Sequence, residues 1–92
     1  MSYKLIQTNK SKRKLKRLKK SDKIVYDNVK KGLYSIQNNP HNMADIQLTS
    51  KKCPKCRRHR VGNYRIIYYI HSSEKIVEIV DIIARKDDYM LY

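Results

Sequence analysis

Arg58, Arg60 and Arg65 flank Gly62-Asn63 in the stretch RRHRVGNYRIIYYI, residues 57–70. Gly-Asn tolerates positive φ and reads as a two-residue hairpin turn between two strands. Folded about that turn, Val61 falls opposite Tyr64, Arg60 opposite Arg65, His59 opposite Ile66 and Arg58 opposite Ile67. Directly opposed residues of an antiparallel pair share a face. One face then carries Val61, Tyr64, Ile66, Tyr68 and Ile70, a core surface. The other carries Arg58, Arg60 and Arg65, with Tyr69 further along. Guanidinium groups crowded on one pleated face repel one another unless an anion sits among them. A phosphodiester suits them, because their planar forks take its oxygens in pairs.

On such a face fixed arginines stabilise negative charge that develops at a phosphate during a reaction. Arginine does not deprotonate, so another group must accept and donate the protons. His59 is a tempting base, but strand parity puts it on the core face with Ile66, where a hydrogen-bonded structural role is expected. Cys53-Pro54-Lys55-Cys56 is half a zinc motif, and His59 with His41 or His71 would complete it on paper. In an extended strand, however, Cys56 and His59 point to opposite faces. Two free thiols and no metal are expected, with zinc and a disulfide as the alternatives.

The elements that must position these residues fit one domain, residues 1–92. Tyr3–Thr8 alternates as a strand, and Asn9-Lys10-Ser11 can cap a helix to about Lys19 with Leu15 and Leu18 facing inward. Ser21-Asp22 starts a second helix, whose stripe is Val25, Val29, Leu33 and Ile36 and whose stop is Asn38-Asn39-Pro40. Ile46–Leu48 suggests a short edge strand. The Arg hairpin follows and then, after Ser72-Ser73, a last strand at Ile76–Ala84. The order β-α-α-β-β-β predicts an α+β layer: an antiparallel sheet with an N-terminal helical hairpin on one face.

Charge narrows the partner class. The formal net charge is +14 from 22 Lys or Arg and 8 Asp or Glu. Nine of the basic residues fall in residues 1–20 and seven in 51–65, stretches without an acid, which points to a polyanion. No apolar run approaches the ~18 residues of a membrane span. The basic run Lys10–Lys20 leads into no apolar stretch, so no signal peptide and no membrane association are expected. A cytoplasmic, reducing location is expected.

RVGNYRIIY at 60–68, the strand after it and ARKDDY at 84–89 together resemble RelE-type toxins of the RelE/ParE superfamily. The resemblance covers nearly the whole chain. It implies the toxin of a type II toxin–antitoxin module, an endoribonuclease that cleaves translated mRNA in the ribosomal A site without metal or cofactor. It implies as partners a 70S-type ribosome with its A-site mRNA and an acidic RelB-like antitoxin that wraps around the toxin. Carried over residue by residue, Arg65 matches the arginine after the turn, Arg85 the arginine just past the last strand, and Tyr89 the C-terminal aromatic. Arg58 completes the implied catalytic set. Arg60, Lys55, Arg57 and Lys52 are expected to hold RNA. Two before Arg58, where active RelE proteins often have a basic residue, stands Cys56 with Lys55 beside it. The proton carrier would be Tyr89, Lys55, a ribosomal group or the RNA itself. Two rivals remain: a ParE-like inhibitor of DNA gyrase and a non-catalytic RNA- or ribosome-binding protein.

Overall fold

The computed structural model describes residues 3–48 and 51–84. Its elements are β1 (Lys4–Gln7), α1 (Asn9–Ser21), α2 (Lys23–Asn38), β2 (Ile46–Gln47), β3 (Arg57–Val61), β4 (Tyr64–His71) and β5 (Ile76–Ala84). The strands form one sheet in the order β1-β5-β4-β3-β2. β2 to β5 are antiparallel neighbours, as expected. β1 instead lies parallel to β5, Lys4 beside Ile76 and Gln7 beside Ile79, so the sheet is mixed rather than antiparallel throughout. Nearly the whole chain separates these two strands, so no hairpin dictates their relative direction.

Thr8 caps α1: its Oγ1 accepts from the Ser11 N–H at 3.1 Å, one residue earlier than the expected Asn9-Lys10-Ser11 start. Asp22 caps α2 as expected, Oδ1 accepting from the Val25 N–H at 3.2 Å. Leu18, Val29, Leu33 and Ile36 then bury against Ile66, Tyr68, Val77, Ile79 and Ile82, the main core. Burial of this apolar surface is the main favourable term in folding. Where α2 crosses the sheet, Gly32 lets the two backbones approach. A Cβ there would stand 2.7 Å from Val61 Cγ2 and 3.0 Å from Ile66 Cδ1.

β5 carries a bulge. Ile67 pairs with Asp81 but Tyr68 with Ile79, which leaves Val80 as the extra residue. Asp81, next to the bulge, is fully buried. Its Oδ1 receives Lys14 Nζ at 2.8 Å and the Ile82 N–H at 2.8 Å, and its Oδ2 faces Lys10 Nζ at 3.3 Å. A buried carboxylate thereby holds the two lysines on the inner side of α1 and offsets one of their two charges.

The sheet face opposite the helices holds a second apolar cluster of Leu48, Cys56, Ile67 and Ile83, edged by Cys53, Tyr69 and Val80. Cys53 and Cys56 are joined in a disulfide, so the expected free thiols are corrected. The Cys56 N–H donates to the Cys53 carbonyl at 3.2 Å, closing a turn with Pro54 in its second position. That turn sets the two Cα atoms 5.3 Å apart, within bonding reach.

Candidate nucleic-acid interface

The hairpin register is the one the sequence predicts: Val61 with Tyr64, Arg60 with Arg65, His59 with Ile66 and Arg58 with Ile67. Of the turn pair only Gly62 takes a positive φ, 55°. Arg58, Arg60 and Arg65 share the face that also carries Ile67 and Ile83. The three differ in exposure: Arg60 is exposed, Arg58 half-buried and Arg65 only 8% exposed. Arg65 has Arg60 on one flanking strand and Ile83 on the other. Arg60, Gly62, Asn63, Tyr64 and Arg65 line a shallow recess at the hairpin tip. A guanidinium buried to this degree interacts more strongly with an anion than one in open water, because the local dielectric is lower.

Arg57 is not on this face. It pairs with Tyr68 on the helix side. Its Nε donates to Tyr68 Oη at 3.1 Å, and its Nη2 donates to the carbonyls of Asn42 (2.7 Å) and Asp45 (3.3 Å). His59 is also there, as parity requires, with Nδ1 2.9 Å from Asp45 Oδ1. The Tyr68 hydroxyl lies 2.6 Å from Asp45 Oδ2 and 3.0 Å from the Pro40 carbonyl. Burial pushes the Tyr68 phenol well above its ordinary pKa, and Asp45 adds to the effect while Arg57 opposes it. These contacts fasten residues 40–45 to β3 and β4.

Lys52 and Lys55 are exposed on the segment leading into β3. Arg85 and Tyr89 lie outside the described residues. Of the eight expected site residues, the structure brings Arg58, Arg60 and Arg65 together on one face, leaves Lys52 and Lys55 on the neighbouring loop, and sends Arg57 to the other side. Asp45 escaped the sequence reading, which puts Tyr68 on the core face without its polar partners. Their signals were a buried-parity tyrosine, whose hydroxyl needs a partner, and the only acid between Asp27 and Glu74.

A family model described as the ParE toxin of the type II toxin–antitoxin system parDE matches residues 5–89. The chain therefore belongs to this toxin family, within the RelE/ParE superfamily. No curated protein sequence matches it. Among solved structures, the fold resembles a RelBE toxin–antitoxin complex of Mycobacterium tuberculosis, with TM-score 0.76 and 20% identity over 92% of this chain and 100% of that one. The YoeB/ParE toxin of Agrobacterium tumefaciens gives TM-score 0.76 at 14% identity, over 88% and 96% of the two chains. The archaeal RelE–RelB complex of Pyrococcus horikoshii gives 0.72 at 20%, over 92% and 97%.

Proposed function

We propose that this toxin is a ribosome-dependent endoribonuclease that cuts translated mRNA through attack of the RNA 2′-hydroxyl. The observation that carries this reading is the single sheet face shared by Arg58, Arg60 and Arg65, at the rim of an apolar cluster. Arg65, held almost out of solvent, is suited to stabilise the charge that grows on the phosphoryl oxygens, and Arg58 assists it. Arg60, Lys52 and Lys55 steer and hold the strand. Arg85 and Tyr89 join the site on the strength of the resemblance, Tyr89 as a base-stacking platform or proton carrier. In this reading the protein works in the cytoplasm, where the reducing environment would open the Cys53–Cys56 bond. Among the described residues no helix is long and apolar enough to cross a membrane. Its antitoxin is an acidic, RelB-like chain that covers the basic surface.

A second reading, inhibition of DNA gyrase, is favoured by the matched family model, which is described as a ParE toxin. Purified protein separates the two. Codon-phased cuts in a translated message support the nuclease, whereas loss of gyrase supercoiling with intact messages supports the other.

A further inference from the structure

We propose that the solvent face of α1 is a second nucleic-acid surface, which grips the phosphate backbone of duplex RNA on the side of the sheet away from Arg58, Arg60 and Arg65. Lys12, Arg13, Lys16, Arg17, Lys19 and Lys20 are all exposed, and α1 contains no acid. Its inner lysines, Lys10 and Lys14, are held by Asp81. Among the described residues, Lys12, Arg13, Lys16, Arg17 and Lys20 have no acidic partner. Lys12, Lys16 and Lys20 stand four residues apart in turn, as do Arg13 and Arg17. Like charges at that spacing weaken a helix, so this face is kept at the expense of stability. α1 packs through Leu15 and Leu18 on the helix-side core, whereas the arginines share the opposite face with Ile83. One short RNA strand cannot lie on both surfaces at once without passing around the sheet edge.

The patch continues onto α2. Lys19, Lys23 and Lys30 surround the Tyr26 ring at 5.9, 5.2 and 5.7 Å, Lys23 also pairing with Asp27 at 2.9 Å, and Lys30 stands 5.9 Å from Tyr34, which is 54% exposed. Aromatic rings set among cations suit a nucleic acid, which offers phosphates and flat bases together. An acidic protein segment fits less well. Such an interface is anchored by buried apolar or aromatic side chains. Among the described residues α1 exposes no large hydrophobic side chain, and α2 exposes two, Ile24 and Tyr34. The surface rests on its own charge pattern; the choice of RNA over DNA rests on the nuclease reading above.

The test is fluorescence anisotropy of the full chain with RNA and DNA duplexes of one sequence, about 20 base pairs long, between about 50 and 200 mM salt. The variant carries Lys12→Gln, Arg13→Gln, Lys16→Gln and Arg17→Gln. Glutamine keeps helix propensity and removes like-charge pairs, so Tm should hold or rise, which reports folding directly. Loss of four phosphate contacts should flatten the slope of log affinity against log salt by about 3 to 4 for a duplex. A slope equal to wild type overturns the proposal, as does binding to the DNA duplex alone. A variant that loses binding to a polyglutamate peptide but not to RNA also overturns it, in favour of an acidic protein partner. Message cleavage is a separate readout, so the nuclease reading can fail while this surface stands, and the reverse.

Discussion

Arg60 and Arg65 face each other directly across β3 and β4, two residues from the Gly62-Asn63 turn on either strand. Directly opposed like charges destabilise an antiparallel pair. Arg60→Gln should therefore raise stability by about 0.2–1 kcal/mol while weakening RNA binding. Denaturant unfolding alongside RNA affinity checks both signs.

Gly32 should resist a substitution that helices usually welcome. Alanine at an exposed helix position gains about 1 kcal/mol over glycine. Here the added methyl would press on Val61 and Ile66 at 2.7 and 3.0 Å. Overpacking costs about 1–3 kcal/mol, so Gly32→Ala should be net destabilising by about 1 kcal/mol. A raised Tm would contradict the close crossing of α2 over the sheet.

The Cys53–Cys56 bond closes a very short loop. For such a loop the chain-entropy model gives about 2 kcal/mol of stabilisation. Reduction, or Cys53→Ser with Cys56→Ser, should lower stability by about that amount and speed hydrogen exchange at Leu48, whose N–H donates to the Cys56 carbonyl at 2.8 Å. An unchanged melt after reduction would mean that the bond adds nothing to the fold.

Tyr68 gives a pH signature. Its pKa is raised in the folded chain above the ordinary 10.0, so it keeps its proton there after the unfolded chain has lost its own. The stability this contributes is complete below about pH 10 and is lost as pH rises from there toward the higher folded value. Tyr68→Phe should remove that part of the alkaline decline. At neutral pH it should cost about 1–3 kcal/mol, because Asp45 and Arg57 lose a buried partner. Unfolding curves of both proteins from pH 8 upward decide it.

Much of the fold was legible because it rests on local signals. Gly62-Asn63 fixed the hairpin register, and with it the faces of His59 and Arg60. Asp22 and the Val25, Val29, Leu33, Ile36 stripe defined α2. The less legible features depend on contacts between distant segments. The parallel pairing of Lys4 with Ile76 has no local marker. Arg57 was grouped by type with the arginine cluster, although the same legible parity pairs it with Tyr68 on the other face; its bond to the Asp45 carbonyl there was the part that no local signal marked. IVEIVDIIA, at 76–84, is apolar at both parities, which signals a strand buried on both sides and hence the cluster at Ile83. The disulfide needed the turn geometry that Pro54 imposes.

Arg65 is the residue on which the ribonuclease reading most depends. The direct measurement is primer-extension mapping of a message being translated in a purified system, with wild-type protein and with Arg65→Ala. Cuts phased with the codon register are expected from the wild type, with the rate lowered on the order of 10²–10³ in Arg65→Ala and both proteins giving the same circular dichroism spectrum. Intact messages with wild-type protein, or equal cutting by Arg65→Ala, would contradict it.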